Sequence, residues 1–252
     1  MFVPDTTPNE RRLALRASLE SEKITKLPGA FNPLTARLIE DIGGFEGVYV
    51  SGAVLANDLG LPDIGLTTLT EVAQRGGHIA RATNLPVLID ADTGFGEPMS
   101  AARTVAEFEA AGLASLHLED QVNPKRCGHL DGKEVVPRDL MVRRISAAVR
   151  ERHDDAFVIC ARTDAAGIEG IDSAIERAKA YADAGADLIF TEALYTEKDF
   201  ETFRKAVDVP LLANMTEFGK TKLLSAGTLQ DLGYNAVIWP VTTFRLAMGQ
   251  TE

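Results

Sequence analysis

Three carboxylates and one thiol-bearing loop are the residues of this sequence whose types and spacing suit chemistry. Asp90-Ala91-Asp92 sets two carboxylates either side of one residue at the end of an apolar run, and Glu119 ends a second such run. An all-oxygen set suits a hard divalent cation, Mg²⁺ or Mn²⁺, held by few direct carboxylates with water and substrate completing an octahedron. Zinc is disfavoured, because no paired His or Cys spacing occurs. Just beyond Glu119 lies Lys125-Arg126-Cys127-Gly128-His129. A thiol flanked by two cations and near an imidazole is drawn towards thiolate near neutral pH, from a free pKa of ~8.5. Gly128 lets the backbone approach a ligand closely. The same loop read alone is a cysteine among solvated basic residues; the neighbouring acidic set tips it towards function.

Such groups need a scaffold that brings them to one place, and the sequence pattern supplies one. An amphipathic stretch, a Gly, a short apolar run and polar residues recur along the chain. Residues 174–182 set Ile175, Ala178 and Ala182 on one helical face, Gly185 follows as a cap, and 187–190 reads as a buried strand. Gly44, Gly112 and Gly233 precede the runs 48–50, 116–118 and 236–238 in the same way. With 26–30, 86–90, 157–161 and 210–213 this makes about eight β runs separated by helix-length segments, the count of an α/β barrel. A doubly wound open sheet competes, but it favours a Gly-rich phosphate loop after its first strand, and none is present. The sequence therefore predicts a single (β/α)8 TIM-type barrel over residues 1–252. Thr7-Pro8-Asn9-Glu10 opens an N-terminal helix before the first strand, and Ser173-Ala174-Ile175-Glu176 predicts another helix start.

Barrel chemistry sits at the carboxyl ends of the strands, where the βα loops converge. There the sequence delivers Ser51-Gly52, Asp90 and Asp92, Glu119 and Asp120, Arg162 and Asp164, Glu192, and Asn214. Burying an unpaired charge costs several kcal/mol, so a barrel has no structural need for so many. Asp120 and Asp164 taken singly read as caps or salt-bridged loop residues. Cys160 reads as a small core residue and His117 as a satisfied strand residue, while His78 and His153 are expected on solvent-facing helices.

Composition narrows the function classes. Lys and Arg number 26 against 37 Asp and Glu, a net charge of −11, which repels nucleic-acid phosphates and anionic membranes. Two cysteines cannot staple a small secreted domain. No basic and apolar leader opens the sequence, and no uncharged apolar run approaches the ~20 residues of a membrane span. A cytoplasmic protein is expected, with neither nucleic-acid nor membrane partners.

Asp90-Ala91-Asp92-Thr93-Gly94-Phe95-Gly96, Leu118-Glu119-Asp120-Gln121 and Lys125-Arg126-Cys127-Gly128-His129 resemble the isocitrate lyase/phosphoenolpyruvate mutase superfamily. The likeness covers essentially the whole chain and includes Tyr49-Val50-Ser51-Gly52, Ala161-Arg162-Thr163-Asp164-Ala165 and Asn214-Met215-Thr216-Glu217-Phe218-Gly219. The cysteine loop is similar to that of the lyase branch, above all to enzymes that cleave 2-methylisocitrate to pyruvate and succinate in propionate breakdown by the methylcitrate cycle. The resemblance implies Mg²⁺ on Asp90 and Asp92, with Asp63 and Glu119 reaching it through water. It implies substrate contacts from Ser51, Gly52, Ala53, Gly128, His129, Arg162, Glu192, Asn214, Met215, Thr216 and Arg245. Cys127 is implied as the acid that protonates the succinate carbanion. Tyr49, Glu119 and a metal-bound hydroxide stand as alternative bases for the substrate hydroxyl.

The small tricarboxylate would meet a locally cationic mouth, and a homotetramer is implied. Two departures stand. Ala53 replaces a second Gly found in many relatives. The sequence also ends shortly after the eighth strand, so the C-terminal helices that relatives swap between subunits are expected to be missing, together with an Arg they carry. The alternatives are an isocitrate lyase or a decarboxylase or hydrolase on the same scaffold, and, from another class, a non-catalytic carboxylate-binding barrel.

Overall fold

A computed structural model describes residues 3–128 and 132–251. Eight parallel strands form one sheet: β1 (Thr25–Pro28), β2 (Val48–Val50), β3 (Val87–Asp90), β4 (Ser115–Glu119), β5 (Val158–Thr163), β6 (Leu188–Thr191), β7 (Leu211–Asn214) and β8 (Ala236–Trp239). Their spatial order is β1-β8-β7-β6-β5-β4-β3-β2, and a parallel bridge from Gly29 to Tyr49 joins β1 to β2. The sheet thus closes into the expected (β/α)8 barrel, and each of the eight apolar runs read from the sequence lies on one of its strands.

Helices α1 (Pro8–Leu19), α2 (Pro33–Ile42), α3 (Gly52–Asp58), α4 (Leu69–Ala80), α5 (Pro98–Ala110), α6 (Arg138–Glu151), α7 (Ile171–Asp183), α8 (Glu197–Ala206), α9 (Ala226–Asp231) and α10 (Thr242–Gly249) precede, connect and follow the strands. Alternation along each strand divides the apolar residues into two sets. Ile89, Leu116, Ile159 and Ile189 face the helices, whereas Leu27, Tyr49, Leu88, Cys160, Phe190 and Leu212 fill the barrel. Leu15 and Leu19 of α1 join the inner set at 1% and 4% exposure. Burying a leucine contributes roughly 1.5–3 kcal/mol, so the N-terminal helix adds to the core of the barrel.

Thr7 and Glu10 form the expected capping box of α1. Gly185 lies one position past the cap of α7 at φ +102°, a conformation that favours glycine. The helix start predicted at Ser173 is corrected. The chain already enters α7 at Ile171, after Gly170, and the Ser173 hydroxyl bonds back to Glu169 Oε2 instead of capping. His78 is exposed on α4, but exposed His153 lies in the loop after α6, where its N–H bonds to Glu109. Among the described residues no helix is long and apolar enough to cross a membrane.

Candidate active site

One cavity of about 540 Å³ opens at the carboxyl ends of the strands. Tyr49, Ser51 and Ala53 line it from β2 and the start of α3, with Asp63 and Asp90 beside them. The segment carrying Lys125, Cys127 and Gly128 lines it as well. Arg162, Glu192, Asn214, Thr216 and Arg245 complete it from β5 to α10. The structure therefore brings the thiol and the acidic set to one pole of the barrel. His129 lies outside the described residues.

Gly128 reports how closely that segment is docked. A Cβ built there would stand 2.4 Å from Arg162 Nη2 and 2.6 Å from Glu192 Cγ. Only a residue without a side chain lets the backbone rest on those two groups. Gly52 has a parallel role at the acidic end. Its N–H donates to Asp90 Oδ2 at 3.1 Å, and a Cβ would meet that oxygen at 2.9 Å and Asp92 Oδ1 at 3.2 Å.

The acidic end is held by backbone and by one lysine. Asp92 N–H donates to Asp90 Oδ1 at 2.9 Å, and Asp92 itself has a left-handed backbone at φ +46°. Lys125 Nζ lies 2.8 Å from Asp92 Oδ1 and bonds to Asp63. Burial opposes its charge, but Glu119, Asp92, Asp90 and Asp63 together raise its pKa and keep it an ammonium. One of the two cations that the sequence sets beside Cys127 is therefore engaged with the carboxylates instead. Burial, then the like charge of Asp90, pushes Asp92 up to about 6. For Asp90 burial acts upwards too, but His117, Lys125 and Arg162 outweigh it and hold the carboxyl below its usual value.

Glu119 is 1% exposed, neither carboxylate oxygen has a hydrogen-bond partner among the described residues, and burial drives its pKa well above the ordinary range. It lies behind the cavity wall, with Oε2 3.4 Å from Arg162 Nε. Among the described residues no three His, Cys, Asp or Glu side chains converge on one ion position. What the site offers is a short oxygen-only set with carboxylate oxygens in want of positive charge, which fits a hard divalent cation completed by water or ligand oxygens.

On the opposite wall Arg162 lies within β5, one residue inside the predicted loop. Asp164 grips it through Nε at 2.9 Å and Nη2 at 3.1 Å, Glu192 stands 3.5 Å from Nη2, and the guanidinium sits over the Phe190 ring at 5.0 Å. Asp164 is fully buried, and Arg162 and Lys133 hold its carboxyl well below the carboxylate range despite that burial. Asn214 Nδ2 donates to Glu192 Oε2 at 3.1 Å. Arg245 Nη1 is tied to Glu217, at 2.6 Å from its carbonyl.

The Tyr49 hydroxyl pairs with His117 Nε2 at 2.8 Å. Burial and then Asp90 raise the phenol well above its usual pKa, while burial pushes His117 down to about 4, so it is neutral at pH 7. Burial thus favours the protonated form of both Tyr49 and Glu119. Met215 is also reassigned. Its side chain is 1% exposed in the outer core, with Sδ accepting from Leu224 N–H at 3.2 Å, because alternation past β7 turns it away from Asn214 and Thr216. Met215 can meet a ligand only through its backbone. Phe190 and Lys133 were not singled out in the sequence: the first reads as an ordinary core position, and the partners of the second are distant along the chain.

The family model for phosphoenolpyruvate phosphomutase matches residues 15–252. A probable 2-methylisocitrate lyase of Corynebacterium glutamicum is 74% identical over 252 residues, covering 100% of this chain and 82% of its own length. The 2-methylisocitrate lyase of Aeropyrum pernix is 49% identical over 240 residues, 95% of this chain and 77% of that protein. The crystal structure of a 2,3-dimethylmalate lyase superposes with a TM-score of 0.92 at 35% identity, covering 98% of this chain and 83% of its own.

Proposed function

The chain belongs to the phosphoenolpyruvate phosphomutase/isocitrate lyase family and is a carbon–carbon lyase; on that premise we propose that it cleaves 2-methylisocitrate to pyruvate and succinate. In this reading Asp90 and Asp92 hold Mg²⁺, Cys127 is the proton donor, and the reaction stands at the last step of the methylcitrate route of propionate breakdown. The observation that carries it is the docking of Gly128 on Arg162 and Glu192, which sets the neighbouring thiol over the same cavity as Asp90.

The chemistry is a retro-aldol cleavage. A base takes the proton of the substrate hydroxyl, the oxygen becomes the carbonyl of pyruvate, and the C–C bond electrons pass to the carbon that becomes succinate. When bound, a divalent cation supplies Lewis acidity at the hydroxyl and its neighbouring carboxylate. Arg162, set by Asp164 and the Phe190 ring, binds a substrate carboxylate. Asn214 and Thr216 donate to the charge that gathers as the bond breaks, each such donor being worth about 3 kcal/mol. Cys127 gives its proton to the carbanion, and the engagement of Lys125 with Asp63 and Asp92 leaves one cation fewer to favour the thiolate.

Gly52→Ala is expected to lower kcat/KM at least about tenfold while leaving Tm within a few degrees. Alanine at this helix start recovers roughly 0.5–1 kcal/mol of backbone entropy, but its methyl group crowds Asp90 and Asp92. Steady-state kinetics beside a melting curve check this, and an unimpaired rate would mean that the two carboxylates need not sit where they do.

A second reading rests on one observation: Arg162, Arg245 and Lys125 are already paired with Asp164, Glu217, and Asp63 with Asp92. That economy of spare positive charge suits a dicarboxylate such as 2,3-dimethylmalate. A product assay separates the readings. 2-Methylisocitrate yields pyruvate and succinate, isocitrate glyoxylate and succinate, and 2,3-dimethylmalate pyruvate and propionate. 2-Methylisocitrate is expected to give the largest kcat/KM. Isocitrate should keep partial activity, since one methyl is worth only ~1–3 kcal/mol. Binding of all three without turnover would point to a carboxylate-binding barrel.

A further inference from the structure

Lys133 lies at the far end of the segment that carries the thiol, and it does not line the cavity. Its side chain is 5% exposed. The ammonium donates to the Gly128 carbonyl at 2.5 Å and to Asp164 Oδ1 at 2.8 Å. Asp164 in turn grips Arg162 through two nitrogens, and Gly128 rests on that same guanidinium. Lys133, Asp164, Arg162 and Gly128 therefore close a ring of direct contacts. Cys127 is attached to that ring through one peptide bond.

Charge balance alone does not account for this lysine. Arg162 is bidentate on Asp164 but is shared with Glu119 and Glu192, so Lys133 has a part in balancing Asp164; that part needs no contact with a backbone carbonyl. What Lys133 adds is a bond to a backbone carbonyl, and the carbonyl chosen belongs to the residue after the thiol. We propose that Lys133 is a positioning residue: it fixes the Gly128 carbonyl, and with it the Cys127 sulfur, relative to the guanidinium that binds substrate. This rests on the reading of Cys127 as proton donor. A displacement near 1 Å of a reacting group costs on the order of 10²-fold in rate, and a backbone tie one residue from the sulfur is placed to prevent it.

The test uses Lys133→Met, which keeps most of the apolar stem of the side chain and removes its donors, and Lys133→Arg, which restores charge and donors. Each is measured for kcat and KM on 2-methylisocitrate. Each is also measured for the rate at which iodoacetamide alkylates Cys127, located by mass spectrometry. Cys160 is fully buried in the barrel and serves as the silent control. For Lys133→Met, kcat is expected to fall on the order of 10²-fold, with KM within about threefold because Asp164 still holds Arg162. Alkylation should speed up about tenfold as the sulfur loses its fixed place, and Lys133→Arg should recover part of both.

If kcat falls while alkylation is unchanged, Lys133 acts on Arg162 through Asp164, and the positioning of the thiol is overturned. A Lys133→Met enzyme with wild-type kcat overturns it as well. Cys127→Ser separates this from the parent reading: full turnover in that variant removes the proton donor, while faster alkylation in Lys133→Met would still show that the lysine fixes the loop. Lys133→Gln, polar and uncharged, repeats the measurement should the Met variant fail to fold.

Discussion

Cys127→Ser is expected to lower kcat for 2-methylisocitrate by about 10²–10⁴-fold and to leave KM within a few-fold. The substitution exchanges one atom on a segment whose placement is set elsewhere, by Gly128 on Arg162 and by Lys133 on the Gly128 carbonyl. The groups assigned to substrate binding keep their partners: Arg162 stays on Asp164 and Asn214 on Glu192. What is lost is an acidic S–H, for which a hydroxyl is a far weaker proton donor. A fall in kcat and kcat/KM together is the signature of an interaction made only in the transition state. Coupled detection of pyruvate reads the rate, and the melting temperature shows whether the fold survived. A serine enzyme with a near-normal rate would take the thiol out of the mechanism.

The barrel was legible because its strands are buried on both faces and read as short apolar runs, while the helices between them carry one apolar face. The acidic set and the cysteine loop were legible because each lies within a few residues along the chain. The unread features are made by residues far apart in sequence. Lys133 meets Asp164 across 31 positions, and Tyr49 meets His117 across 68. The states of Tyr49 and Glu119 also escaped the sequence, since both named bases owe their raised pKa first to burial. Ser173 shows the opposite error. Its spacing to Glu176 fits a capping box, but the turn ending at Gly170 starts α7 three residues earlier. A local motif acts only where the backbone leaves its donors open.

On the proposal that Asp90 and Asp92 hold Mg²⁺, chelation or Asp90→Ala is expected to abolish turnover, and a thermal measurement distinguishes this from loss of fold. Asp90, Asp92 and Glu119 are buried and Asp63 is half-buried; Lys125 pairs with Asp63 and Asp92, and Arg162 is taken chiefly by Asp164. Such a set is costly to fold, and a divalent cation offsets the cost by supplying the missing charge. Magnesium at 100 times its Kd should stabilise the native protein by about 2.7 kcal/mol. At roughly 2–4 °C per kcal/mol for a domain of this size, Tm should rise by about 5–10 °C. In Asp90→Ala that rise should disappear. The absolute Tm is a poorer guide, because two opposed effects meet there. Loss of Asp90 strips an acceptor from the Gly52 and Asp92 N–H groups, at about 1–3 kcal/mol each, yet it also relieves the repulsion that raises Asp92. A chelator should silence the wild-type enzyme and added Mg²⁺ restore it. Turnover that persists in excess chelator, with no thermal response to Mg²⁺, would show that the carboxylates serve Lys125 alone.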